Sequence, residues 1–231
     1  MVLVVGALLA ALLGPILFVA AAVVALVIAA VAYLYADRLV LRLSHARPVS
    51  PDEEPRYHNL VDGLCVSAGL PKPELYVVDD DAANSFATGR NPAHAAIVVT
   101  TGLLEKLSLV ELEGVLAHEL SHSRSNDILV TSLGTALVAL PLMPAGDLAG
   151  RLLSTLVGRG RELDADVAGV RLTRYPPGLA AALEKVRRDG PAAGPAPRAT
   201  AHLWIWSPLD TDAGSGAGGR LAERIAALRD M

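Results

Sequence analysis

No charged side chain occurs from Val2 to Ala36, so the chain opens with 35 consecutive uncharged and mostly apolar residues. As one straight helix this run would be about 53 Å long, whereas the hydrocarbon core of a bilayer is about 30 Å thick. A helix could break at Gly14-Pro15, and Ile16 to Tyr35 is then long enough to cross. The run therefore predicts a membrane anchor over residues 1–47, with one or two spans and the lipid bilayer as a partner.

Sequence features within and after this run predict whether it is cleaved as a signal peptide and how it is oriented in the membrane. Ala30-Val31-Ala32 has the small residues of a cleavage site, which makes a cleaved signal peptide the alternative. That alternative is disfavoured because no basic residue precedes the run and because the run is about twice as long as a normal signal core. Arg38, Arg42 and Arg47 follow directly, and the positive-inside rule then places the rest of the chain on the cytoplasmic side of the cell membrane.

Length and composition limit what can follow the anchor. The 231 residues leave room for one domain with a sizeable core, which we place at residues 48–231. A net charge of -4 offers no electrostatic attraction for nucleic acid, so no nucleic acid is expected as a partner. Cys65 is the only cysteine, which excludes an internal disulfide and fits a reducing compartment.

The segment from His118 to His122 reads H-E-x-x-H within an apolar stretch. Residues four apart are neighbours on one face of a helix, so both imidazoles can bind one zinc ion. Glu119, about a quarter-turn round, can then act on a water molecule as a general base. Ser108 and Glu111 form a capping box that predicts the start of this helix. The alternative, two surface histidines spaced four apart by chance, is disfavoured by the apolar positions of the same helix.

A third metal ligand is predicted on a second helix, at Glu162. Glu162 and Asp166 are four residues apart and share one helix face, whereas Asp164 points to the opposite face. Asp127 follows His122 too closely, because five residues of helix place it about 7.5 Å along and about 140° round. The longer glutamate suits direct ligation, and Asp166 suits a hydrogen bond to an imidazole N–H. The alternative is a solvated acidic helix face.

A small sheet is predicted before the motif helix. Glu74–Asp79 and Ala95–Thr101 are rich in β-branched residues, and Ser85–Thr88 is a candidate third strand. An edge strand beside the metal would pair with an extended substrate backbone. Asn84, just before the candidate strand, either binds a substrate peptide group or only forms a turn.

The remaining pattern is helical. Helices are predicted over Arg56–Ala68, Pro177–Arg188 and Leu221–Leu228. A second apolar run, Ile128–Met143, has 16 residues and is short for a membrane span. Residues 128–160 therefore predict a membrane-surface or buried helical hairpin.

Three longer motifs carry a resemblance to a known family: Asn84–Pro92, Val99–Leu104 and Glu111–His122. Over roughly residues 34–188 the chain resembles the HtpX branch of the M48 zinc metallopeptidases. The resemblance implies an α+β, mainly helical fold, in which transmembrane segments precede a gluzincin-like zincin domain with a small sheet. It also implies a membrane-bound, cytosol-facing endopeptidase that acts on misfolded membrane proteins. A later histidine typical of the family is absent from Asp210–Gly219, so no oxyanion-stabilising residue is predicted.

These patterns together predict a membrane-anchored zinc endopeptidase with one Zn²⁺ per chain and protein or peptide substrates. His118, His122 and Glu162 would bind the metal, Glu119 would be the general base, and Asp166 would orient a ligating histidine. One rival hypothesis is a non-catalytic, membrane-anchored zinc-binding chaperone or scaffold protein, which would not need the general base. Another is an intramembrane protease, which the charged residues around the motif disfavour.

Overall fold

The computed structural model describes residues 2–124, 128–129, 132, 159–190, 200–201, 203–206 and 217–231. These residues are mainly helical and include a small mixed sheet, as predicted. In chain order the elements are α1 (Val2–Leu43), β1 (Arg47–Pro48), α2 (Pro55–Ala68), β2 (Glu74–Val78), β3 (Ser85–Gly89), a 3₁₀ turn (Pro92–His94), β4 (Ala95–Thr100), α3 (Thr101–Lys106), α4 (Leu109–Arg124), α5 (Arg159–Thr173), α6 (Pro176–Asp189) and α7 (Ala217–Arg229).

The N-terminal helix α1 is continuous, and the predicted break at Gly14-Pro15 does not occur. A proline inside a helix removes one backbone hydrogen bond, but the flanking sequence is rich in Ala and Leu, which favour helix formation, and the helix continues through Pro15. Leu17–Leu43 is long and apolar enough to cross a membrane, and none of its most apolar window is buried within the described residues. Large apolar side chains such as Phe18, which is 75% exposed, are suited to lipid rather than to water.

The C-terminal end of α1 contacts the rest of the domain. Arg90 donates to the carboxylate of Asp37 at 3.3 Å and to the backbone oxygen of Leu34 at 3.2 Å. A buried cluster joins this end of the helix to the sheet, and its members include Val40, Leu41, Phe86, Val98 and Trp204. The domain division at residue 47 stays a prediction, and the hairpin predicted over residues 128–160 lies almost entirely outside the described residues.

The sheet has the strand order β1-β2-β4-β3. Strand β2 pairs with β4 in parallel, and the β1–β2 and β3–β4 pairs are antiparallel. The candidate strand at Ser85 is therefore confirmed, and it pairs with β4 from Ser85 opposite Val99 to Gly89 opposite Ala95. Strand β4 ends one residue earlier than predicted, because the Thr100 side chain accepts from the backbone N–H of Leu103 and caps α3.

The helix that carries the H-E-x-x-H motif, α4, contacts strands β3 and β4 of the sheet and the helices α5 and α6. One of the two hydrogen bonds of its predicted capping box is formed: the backbone N–H of Ser108 donates to the Glu111 carboxylate at 2.7 Å. Apolar side chains from α4 and α6 share the main core, among them Leu112, Val115, Leu116, Leu179 and Leu183. This packing fixes the position of the motif relative to the sheet.

The close approach of α5 to α4 depends on Gly169. A Cβ atom at this position would lie 2.9 Å from the backbone nitrogen of His118, so an alanine must push the two helices apart. We expect Gly169→Ala to lower the free energy of unfolding by about 1–3 kcal/mol, the usual cost of overpacking. Gly63→Ala is the matched control, since nothing lies within 4 Å of its Cβ position in α2. Chemical denaturation should show the control to be more stable by about 0.5–1 kcal/mol, and equal destabilisation of both variants would contradict the prediction.

Candidate metal centre

Two helices bring the predicted ligands together. His118 and His122 are buried on α4, and their Nε2 atoms lie 3.2 Å apart. Glu162 on α5 places one carboxylate oxygen 3.5 Å from His118 Nε2 and the other 3.5 Å from His122 Nε2. These three side chains offer ligand atoms that all lie within 4.8 Å of one another.

The spacing of these atoms fits a metal ion. Two ligands at 2.0–2.1 Å from one tetrahedral zinc ion are about 3.3 Å apart, close to the distances among these three side chains. Two imidazoles and one carboxylate also form a donor set typical of catalytic zinc, which keeps its fourth position open. Glu162 is the partly exposed member, since 32% of its side chain is accessible, so the cluster meets solvent on that side.

Asp166 fixes the tautomer of His118. Its Oδ1 lies 2.8 Å from His118 Nδ1, which therefore carries the proton and leaves Nε2 for a metal. Burial by itself would lower the pKa of His118, but the hydrogen bond to Asp166 and the contact with Glu162 outweigh it and raise the pKa to about 9. A metal ion that binds Nε2 would therefore displace a proton from it. Burial lowers the pKa of His122 to about 3, so this imidazole is neutral and its lone pair is available.

The carboxylates of α5 are held in their charged form. Burial opposes ionisation of Glu162, yet its contact with His118 and the charges around it keep its pKa well below the ordinary value. Burial also opposes ionisation of Asp166, and the nearby Arg224 guanidinium and His118 lower the pKa in spite of it. Asp164 is exposed. The carboxylates that lie at the cluster are therefore those of Glu162 and Asp166, the two that the helix spacing predicted.

Glu119 is buried beside the cluster and is not one of the three grouped ligand residues. The hydroxyl of Ser85, the first residue of β3, donates to Glu119 Oε1 at 2.6 Å. Burial is the main cause of a raised pKa for the Glu119 carboxyl. A carboxylate with a raised pKa is a better proton acceptor, which suits a general base. The sequence did not predict that Ser85 contacts Glu119. The one local feature that could have suggested a role for Ser85 is its position at the start of the strand, next to Asn84.

Arg224 on α7 is a second residue of the centre whose role the sequence did not predict. Its guanidinium donates to both oxygens of Asp166, from Nε and Nη2, at 2.7 Å each, and from Nη1 to Glu162 Oε2 at 3.1 Å. A signal was present, because Arg224 falls on the same face of α7 as its buried apolar residues. Those residues are Leu221, Ile225 and Leu228.

Asn84 is completely buried, and its side-chain amide binds the chain's own backbone. Asn84 Nδ2 donates to the backbone oxygen of Trp206 at 2.8 Å, and the backbone N–H of Trp206 donates to Asn84 Oδ1 at 3.2 Å. The backbone N–H of Ile205 also donates to the backbone oxygen of Ser85 at 3.0 Å. Asn84 thus recognises a peptide group here, and its predicted role toward substrate stays a prediction.

The centre has two imidazoles and a carboxylate on two packed helices, and a further buried carboxylate lies next to them. Together with the neighbouring sheet, this arrangement is that of the H-E-x-x-H class of metallopeptidases. Comparison with known proteins narrows that class to one family. Residues 51–231 match the model of peptidase family M48, and the chain belongs to this family. The resemblance to M48 peptidases seen in the sequence is thereby confirmed.

Several relatives that the chain matches carry the name "Protease HtpX homolog". The protein from Tropheryma whipplei (strain Twist) is 38% identical over 212 residues, which cover 78% of this chain and 73% of the relative. The protein from Paraburkholderia phytofirmans is 34% identical over 243 residues, covering 86% of this chain and 82% of the relative. The protein from Ralstonia nicotianae is 37% identical over 240 residues, with the same coverage. The HtpX-like branch is therefore confirmed as well.

Proposed function

We propose that this protein is a membrane-anchored zinc endopeptidase with one Zn²⁺ per chain. Its substrates are proteins, in particular misfolded or membrane proteins, and it acts in quality control at the cell membrane with its catalytic domain in the cytoplasm. The observation that carries the proposal is the grouping of His118, His122 and Glu162 within 4.8 Å, with the buried Glu119 beside them. Membership of the M48 family supports the same conclusion.

The residues divide the work of hydrolysis among them. A zinc ion held by His118, His122 and Glu162 would polarise the scissile carbonyl and lower the pKa of a water molecule towards neutrality. Glu119 takes the proton from that water and then gives it to the leaving amine. Ser85 holds one oxygen of Glu119 by its hydrogen bond, and this leaves the other oxygen for the proton transfer.

The rival hypothesis is a non-catalytic zinc-binding chaperone or scaffold protein at the membrane. A structural site needs its ligands and the residues that orient them, but it does not need a buried carboxylate next to them. Burying Glu119 costs stability, because a carboxyl group loses its hydration there. The peptidase hypothesis explains why a residue with this cost is present.

A metal-dependent cleavage assay tests the proposed function. Full-length protein purified in detergent is expected to cleave casein, to lose this activity on dialysis against a chelator, and to regain it with one equivalent of Zn²⁺. Metal analysis should find about one zinc per chain. Zinc binding without any cleavage would favour the chaperone hypothesis, and cleavage that survives complete removal of metal would refute the proposal.

The cytoplasmic orientation has its own test. Arg38, Arg42 and Arg47 follow the uncharged run, whereas residues 1–36 contain no Lys or Arg. A green fluorescent protein fused after Met231 is therefore expected to fluoresce, and alkaline phosphatase at the same position is expected to be inactive. Active phosphatase with a dark fluorescent fusion would place the domain outside and contradict the prediction.

A further inference from the structure

Arg224 is a buried charge in a helix that carries none of the predicted metal ligands. Only 5% of the residue is exposed. Removing a guanidinium from water is costly unless opposite charges and well-formed hydrogen bonds replace its hydration. Each of its three nitrogen atoms donates to a carboxylate, two to Asp166 and one to Glu162. The residue is therefore a built part of the centre rather than a solvated residue on an amphipathic helix.

The bond to Asp166 reaches His118. Asp166 Oδ1 is shared, because it accepts from Arg224 Nη2 at 2.7 Å and lies 2.8 Å from His118 Nδ1. Arg224 Nη2 is also 3.5 Å from His118 Nδ1, but both nitrogen atoms are donors when Asp166 holds the imidazole proton, so they do not bond to each other. Arg224 therefore acts on the imidazole through the carboxylate.

Arg224 also holds a predicted metal ligand directly, through its hydrogen bond to Glu162. Arg224 Nη1 holds Oε2, the glutamate oxygen that faces His118 Nε2 at 3.5 Å. Glu162 and Asp166 are one turn apart on α5, and one rigid guanidinium spans both. Because its planar fork fixes two carboxylates in one orientation, a single side chain sets the positions of a ligand from α5 and of the group that orients a ligand on α4.

The charge of the centre is a second reason why a buried arginine at position 224 is favourable. Glu119 and Asp166 are buried, and the partly exposed Glu162 brings a third carboxylate to the same region. A divalent metal would compensate two of these negative charges. Arg224 supplies a positive charge beside Asp166 and Glu162 Oε2, and Arg161 lies 3.3 Å from Glu162 Oε1. Without the arginine, Asp166 would stay buried with an imidazole as its partner and without a cation, an arrangement that is usually strongly unfavourable.

We propose that Arg224 is a positioning residue that orders Asp166 and Glu162 for metal binding and so couples the C-terminal helix α7 to the metal centre. This inference rests on the zinc site proposed above. Helix α7 is itself held in the main core by Leu221, Ile225 and Leu228. The affinity for zinc then depends on Arg224, which lies 58 residues beyond Asp166 in the chain, on a helix that supplies none of the grouped ligands.

Competitive zinc titration of full-length variants tests this role. Arg224→Gln is expected to weaken zinc binding by about 10- to 100-fold, the usual effect of losing a group that orients ligands. Arg224→Lys keeps the charge but lacks the fork, so a smaller loss is expected. Arg229→Gln is the matched control, since it changes the same residue type on the same helix and removes an exposed ion pair to Glu184. Its zinc affinity should equal that of the wild type.

Two further measurements separate positioning from a general loss of structure. Methylguanidinium in solution should restore part of the zinc affinity of Arg224→Ala and should not change that of the wild type. In a double-mutant cycle, Arg224→Gln should cost less in an Asp166→Asn background than alone, because the arginine acts through the aspartate. Circular dichroism checks that each variant is folded, and if Arg224→Gln does not fold, Arg224→Lys decides by the same titration.

The outcomes distinguish this inference from the proposed function. A wild-type protein that binds no zinc would overturn the proposed function. Wild-type zinc binding together with unchanged affinity in every folded Arg224 variant would overturn the positioning role alone. Losses of equal size in the Arg224 variants and in Arg229→Gln would also overturn it, since they would indicate a general effect on helix α7.

Discussion

Replacing Glu119 by glutamine is expected to abolish peptide hydrolysis and to leave the metal centre intact. The amide has the shape of the carboxylate and can still accept the hydrogen bond from Ser85, which is 2.6 Å long in the structure. It cannot accept a proton from water at neutral pH, and general-base catalysis typically contributes about 10²- to 10⁴-fold to the rate. Casein cleavage and zinc content, measured on the same preparation, should show activity lost and about one zinc per chain retained.

Glu113→Gln is the matched control for this experiment. It makes the same chemical change on the same helix, and Glu113 is not part of the ligand group. Its activity and its zinc content should both match the wild type. Loss of zinc together with activity in Glu119→Gln would assign Glu119 a ligand role, and undiminished cleavage would show that another group is the base.

Much of the local structure could be predicted because its signals are local. The capping box at Ser108 and Glu111 predicts the start of α4, and the structure shows one of its two hydrogen bonds. Gly69 ends α2 in the left-handed conformation, with φ at 66°, as its position after the helix predicts. The i, i+4 spacing that joins His118 to His122, and Glu162 to Asp166, likewise follows from helix geometry alone. The ligand candidates could therefore be named without a structure.

The contacts that the sequence did not predict join residues far apart in the chain. Arg224 is 58 residues from Asp166, Ser85 is 34 residues from Glu119, and Trp206 is 122 residues from Asn84. Periodicity within one element says which face is buried but not which element covers it. An arginine on an apolar helix face is ambiguous for the same reason, because its partners are supplied by another helix.

The second large effect is expected for Glu162→Ala, which should lose stoichiometric zinc. The alanine removes the carboxylate whose two oxygens lie 3.5 Å from the Nε2 atoms of His118 and His122. Two imidazoles alone leave zinc with two open positions, whereas catalytic sites normally have three protein ligands. Asp166→Ala should retain zinc with about 10- to 100-fold weaker affinity, because Asp166 binds His118 Nδ1 and is not itself one of the grouped ligands.

Asp164→Ala provides the control on the same helix, since Asp164 is exposed and is not one of the grouped ligand residues. Zinc affinity and casein cleavage should both stay at the wild-type level in this variant. Removing Glu162 also takes one partner from Arg224, so Glu162→Gln, which keeps a hydrogen-bond acceptor there, separates lost ligation from lost packing. Both Glu162 variants should lose zinc if the carboxylate is a ligand, because a neutral amide is a poor ligand for zinc. If Glu162→Ala still holds one zinc at wild-type affinity and still cleaves casein, the assignment of Glu162 as a ligand is wrong.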